Sequence, residues 1–196
     1  MKKNLLLLLL FITFSSCRKT IDLGKDATFK IEQNISYGED PNQKIDIYIP
    51  GNKPKKDVFI IIHGGGWRGG NKSQLTFFTY SLMQKFPRNV FVNMNYRLAS
   101  QKHFALPDQT QDIQNVMNLV EKKLKYKPKF ILLGNSAGGH LSMFYAYHSD
   151  KNKRVKAVVN IVGPADLNDR GFKNYDDYAF VEKHLVDPKL WIKTQH

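Results

Sequence analysis

Residues 129–142 read Lys-Phe-Ile-Leu-Leu-Gly-Asn-Ser-Ala-Gly-Gly-His-Leu-Ser, a short apolar strand running into a helix with Ser136 at the junction. Gly134 and Gly138 bracket the serine as Gly-x-Ser-x-Gly. The need for glycine there is steric, because at so sharp a turn a side chain two residues to either side would strike the neighbouring strand or helix. The serine is forced outward, where a nucleophile has to be. Phe130 to Leu133 supplies the strand, and Leu141, Tyr145 and His148 fall at helical spacing after it. The competing reading is a plain glycine-rich strand-to-helix turn.

A second stretch bears on that choice. Asp57-Val-Phe-Ile-Ile-Ile leads into His63-Gly64-Gly65-Gly66-Trp67, another buried strand ending in consecutive glycines. Three glycines leave backbone N–H groups uncovered, and amides held near an attacked carbonyl, together with the N–H of Ala137, can stabilise the oxyanion that forms there. The interval between His63 and Ser136 holds two βα units of ~30 residues each, so both motifs can end neighbouring strands of one parallel sheet. Gly65 to Ser73 also has a partial likeness to a phosphate-binding loop. Asn71 stands between Gly70 and Lys72, which breaks the required Gly-Lys-Ser spacing.

The ordered set HGGGW, Asn95-Tyr96-Arg97-Leu98-Ala99, GNSAGGH and Gly163-Pro164-Ala165-Asp166-Leu167 resembles the hormone-sensitive-lipase-like branch of the α/β-hydrolases. Within that branch it is most similar to bacterial esterases of the acetyl xylan and feruloyl type, over about residues 30 to 190. The resemblance implies an α/β-hydrolase three-layer sandwich, its sheet mostly parallel with an N-terminal antiparallel hairpin. It also implies Ser136 as nucleophile, with Gly65, Gly66 and Ala137 as oxyanion donors. His63, Gly64, Gly134 and Gly138 would support the two motifs.

The chain begins Met1-Lys2-Lys3-Asn4, followed by an apolar run from Leu5 to Phe14 and then Ser15-Ser16-Cys17. The run is shorter than the ~20 residues a membrane-spanning helix needs and suits a signal-peptide core. Cys17 is the single cysteine, so an internal disulfide is excluded. Its position resembles the lipidated cysteine of bacterial lipoproteins. The expected organisation is a lipoprotein signal peptide at 1–16, a tether at 17–28 and a hydrolase domain at 29–196. That places the protein outside the cytoplasm, anchored by lipid to the cell envelope.

Strands are expected at Lys30 to Tyr37, Gln43 to Pro50, Asp57 to Ile62, Asn89 to Asn95, Phe130 to Leu133 and Val155 to Val162. Helices are expected up to Phe86, from Pro107 through Leu124, after Ser136, and over residues 172–186 above the site. Asp108 and Asp112 fall in the first turns of the second helix, where acids offset the helix dipole, and Lys122, Lys123, Lys125 and Lys127 fall at its end. The formal net charge is +13. No nucleic-acid motif accompanies it, so a solvated surface is the reading, with attraction to anionic headgroups or acidic polysaccharide left open.

Serine is a weak nucleophile until a base takes its proton. In the resembled family the acid and the histidine follow a seventh and an eighth strand, and only six strands are read here. Completing that fold would take roughly 60 to 80 further residues, so the chain reads as C-terminally truncated, lacking the last strands. Asp166, after the sixth strand, is the candidate acid. None of the six histidines fits as base: His63 shapes the glycine loop, His140 and His148 ride on the helix after Ser136, and His184 and His196 lie in the terminal segment. The loop residue His103 is solvated or touches substrate. The expected function is hydrolysis of a small-molecule or carbohydrate-linked carboxylic ester, with no cofactor, metal or nucleic acid. The alternatives are an inactive binding lipoprotein that keeps the pocket and, less well supported, a nucleotide-binding protein.

Overall fold

The computed structural model describes residues 18–24, 27–51 and 56–188. Seven strands form one mixed sheet: β1 (Arg18–Asp22), β2 (Thr28–Ser36), β3 (Lys44–Pro50), β4 (Val58–Ile62), β5 (Val90–Met94), β6 (Phe130–Asn135) and β7 (Val155–Ile161), in the order β1-β2-β3-β5-β4-β6-β7. The first three are antiparallel to their neighbours, and β5, β4, β6 and β7 run parallel. Among the described residues five α-helices are interleaved with and follow the strands, α1 (Thr76–Lys85), α2 (Asp108–Leu124), α3 (Ala137–Phe144), α4 (Arg170–Lys173) and α5 (Tyr178–His184).

The sheet is central because its parallel strands are apolar on both faces. All five residues of β4, Val-Phe-Ile-Ile-Ile, are buried, as are all five of β5, the pattern of strands covered from both sides. Alternate residues feed two cores. Ile60 and Ile62 pack with Ile113, Val116, Met117 and Val120 of α2 and Leu141 of α3. Phe59 and Ile61 pack with Phe91, Tyr48 and Met83 of α1 on the other face. The result is the three-layer sandwich expected from the sequence.

Three expectations need correction. Residues Arg18–Asp22, read as tether, are an edge strand paired antiparallel with β2 from Arg18↔Glu32 to Asp22↔Thr28. Their polar composition hides the strand, and the ladder to β2 makes it. The single helix expected over 172–186 is two short ones, because Asp169 caps α4 by accepting from the N–H groups of Gly171 and Phe172 and the turn-forming run Asn174 to Asp177 separates it from α5. Asp112 is not a surface acid offsetting a dipole. It is fully buried and accepts from Gln43 Nε2 at 2.7 Å and from the Arg97 backbone N–H at 2.8 Å while pairing with the Arg97 guanidinium. Cys17, the apolar run before it and His196 lie outside the described residues. No described helix is long and apolar enough to cross a membrane.

Candidate active site

Ser136 stands between β6 and α3 with φ 50° and ψ −120°, a left-handed backbone that a residue with a Cβ rarely adopts. The neighbours hold it there. Its N–H donates to Ile161 O of β7 at 2.8 Å, and its carbonyl accepts from the N–H groups of Gly139 and His140. The bracketing glycines are required by contact: a Cβ on Gly134 would lie 2.0 Å from Gly138 O, and one on Gly138 would lie 2.2 Å from Ile62 O. Ala137, the first residue of α3, is buried.

The glycine loop abuts this turn because Ile62 of β4 is paired with Gly134 of β6. A Cβ on Gly64 would come 3.1 Å from Ser136 Cβ. Gly65 and Gly66 follow at φ 122° and 58°, conformations open to glycine, and the turn closes with Arg68 and Gly69 N–H groups donating to Gly65 O. His63 supports it from below. Its Nδ1 bonds to Gly64 O at 2.7 Å, its ring stacks on Tyr96 at 4.3 Å, and the Tyr96 hydroxyl donates to His63 O. Burial pushes the imidazole below its ordinary range, so the neutral ring donates through Nδ1 and serves as a brace. Beyond the glycines, Trp67 O accepts from Gln109 Nε2 and from Ala99 N–H, which ties the loop to α2 and to the Asn95–Ala99 stretch. Lys72, the lysine of the partial phosphate-loop pattern, is buried against Asp46 at 2.8 Å, so it does not point at a ligand.

Gly66, Trp67 and Ser136 open on one cleft of about 670 Å³, walled by Phe172 and Tyr175 and by the Val162–Asp166 turn with Asp169. Among the described residues, Ser136 Oγ makes no side-chain hydrogen bond and no histidine lines the cleft. His140 lies behind Trp67, edge-on at 5.3 Å, and burial brings it down to about 4. His148 packs at a tilt against Phe144, and His184 stacks on Phe180 with Nδ1 on Phe180 O. His103 sits in an exposed turn bridged to Ser100. Asp166 reaches the cleft, but its Oδ1 accepts from Asn168 N–H in a local turn. No described cluster of His, Cys, Asp or Glu could hold a metal ion. Sequence reasoning missed the Trp67–His140 contact and Asp169, which carry no motif of their own.

Residues 45–190 match the BD-FAE family. The chain belongs to that family. The relatives it resembles in sequence include hydrolases. Kynurenine formamidase of Danio rerio is 28% identical over 139 residues, covering 68% of this chain and 46% of that protein. Esterase LipC of Mycobacterium tuberculosis (strain ATCC 25618 / H37Rv) is 27% identical over 174 residues, covering 79% and 42%. The chain thus spans less than half the length of these two relatives. Among solved structures, the esterase of Pyrobaculum calidifontis superposes with a TM-score of 0.54 at 25% identity, covering 66% of this chain and 43% of that one. The sheet order, the helix layers and these neighbours together make this an α/β-hydrolase fold.

Proposed function

We propose that this BD-FAE chain is a carboxylic-ester hydrolase domain of the hormone-sensitive-lipase-like branch. In this reading Ser136 Oγ attacks the acyl carbonyl, and the N–H groups of Gly65, Gly66 and Ala137 receive the negative charge that develops on its oxygen. Water then releases the acid. The observation that carries it is Ser136 held at positive φ on a strand-to-helix turn, facing the same cleft as Gly66. The esterase relatives agree with that chemistry. Cys17, after the apolar run Leu5 to Phe14, is the residue that would carry a lipid anchor, with the protein exported to the cell envelope.

One observation favours a slower catalyst over a fast one. No described histidine bonds to Ser136, and removing the base from such a machinery leaves ~10³ to 10⁴ over water from the oxyanion site and binding alone. The chain should therefore turn over p-nitrophenyl acetate weakly and take up a fluorophosphonate slowly, with the phosphonyl group found on Ser136 by peptide mass spectrometry. Ser136→Ala should remove both signals. Equal labelling of the two proteins would reject Ser136 as nucleophile, and rapid labelling confined to Ser136 would show that a histidine does reach it.

A further inference from the structure

The end of the sheet opposite Ser136 carries a dense positive charge that the sequence spreads over distant segments. Because β4, β5, β6 and β7 run parallel, the residues preceding each strand meet there. Lys56 N–H donates to Arg88 O, Val58 N–H to Lys129 O and Phe130 N–H to Arg154 O, each at 3.0 Å. Lys129 Nζ reaches Lys153 O and the Tyr126 hydroxyl reaches Lys56 O, both at 2.8 Å. These bonds knit one face on which Lys56, Arg88, Lys127, Lys129, Lys151 and Lys153 are all exposed. The C-terminal ends of α1 and α2 add exposed Lys85, Lys122 and Lys125.

Of three acids at this end, two are in ion pairs and the third, Asp150, is bonded through one carboxylate oxygen only. Asp57 pairs with Lys156, Glu121 with Arg154, and Asp150 accepts from the Val155 N–H. The ion pairs formed among the described residues leave the nine cations named above without a carboxylate. So concentrated a field attracts a polyanion. Its composition points to the kind. Eight of the nine are lysines, compact hydrated charges on flexible stems, which suit a fluid headgroup layer, whereas fixed recognition of carboxylate or phosphate favours the bidentate fork of arginine.

We propose that this lysine-rich end docks on the anionic headgroups of a lipid bilayer, which turns the Ser136 cleft, at the other ends of the same strands, toward solvent. The inference needs neither catalysis nor the lipid on Cys17. It is tested with the full chain carrying Cys17→Ser, by co-sedimentation with vesicles of phosphatidylcholine alone or with about a third phosphatidylglycerol. Binding should be about tenfold or more stronger on the anionic vesicles. It should fall away when salt rises from about 0.1 M to 1 M, which shortens the screening length from about 10 Å to 3 Å.

The triple variant Lys127→Glu, Lys129→Glu, Lys153→Glu should lose the anionic preference while keeping its thermal transition. Equal binding to both vesicles, or anionic binding unchanged in the triple variant, would overturn the proposal. Tighter, variant-sensitive binding of soluble polygalacturonate that displaces the vesicles would also overturn it, in favour of acidic polysaccharide.

Discussion

Ser136 offers the most direct test of the site's geometry, because its backbone is strained and the strain can be removed by one substitution. At φ 50° and ψ −120°, a residue with a Cβ costs about 1–3 kcal/mol relative to a relaxed conformation. Glycine visits that region freely but raises the entropy of the unfolded chain by about 0.5–1 kcal/mol. The difference leaves Ser136→Gly stabilised by about 1 kcal/mol, while Ser136→Ala, which keeps the Cβ, should stay within about 0.5 kcal/mol of the parent. Urea unfolding followed by circular dichroism measures the gap. A thermal scan should show the glycine variant higher by about 2–4 °C, the usual shift for this size of domain. A glycine variant no more stable than the alanine variant would mean that Ser136 is relaxed, and the forced-outward serine would lose its physical basis.

Gly138→Ala should cost about 3 kcal/mol or more and yield little soluble protein, since its Cβ would sit 2.2 Å from Ile62 O and 2.6 Å from His63 O. Gly69→Ala, with 3.6 Å to its nearest neighbour, serves as the tolerated control. Asp112→Ala should cost about 1–3 kcal/mol in chemical unfolding, because it takes the acceptor from buried Gln43 Nε2 and from the Arg97 N–H, while the Arg97 guanidinium keeps Asp108. His140 predicts a pH dependence. Its folded value is about 4 through burial, against 6.5 in the unfolded chain, so below 6.5 only the unfolded state takes up the proton. Stability should be complete above pH 6.5 and fall by up to about 3 kcal/mol as pH drops to 4, and His140→Phe should lose that part of the slope.

The elbow and the glycine loop were legible in the sequence because their physics is local. Glycines two residues either side of Ser136, a buried run before it and helical spacing after it leave few conformations, and the structure places the chain in the expected one. The same holds for β2 to β7, whose alternating or continuous apolar runs announce which faces are covered. What the sequence did not show depends on contacts between distant segments. Arg-Lys-Thr-Ile-Asp at the start of the sheet becomes a strand only through its ladder to β2. Asp112 is indistinguishable by position from an acid that offsets a helix dipole, and only the approach of Gln43 and Arg97 makes it a buried hub. The Trp67–His140 contact joins two motifs that each look self-sufficient.

The lysines illustrate the same dependence on topology at a larger scale. Read along the chain, Lys56, Lys85, Arg88, Lys127 and Lys153 are separate surface charges, each explained by solvation or by a helix terminus. A parallel sheet changes their meaning, because it sends every strand off from one end and delivers every strand at the other. In the proposed reading, the glycine-rich turns at the delivering end present the amides that would receive negative charge beside Ser136. The connections at the starting end carry many exposed polar residues, so cations can accumulate there at little cost to the core. On that reading the fold sorts two kinds of positive potential to opposite ends. One is small, fixed and made of backbone dipoles beside the serine; the other is broad, mobile and made of side chains. The lysines can be substituted without touching the turn that holds Ser136.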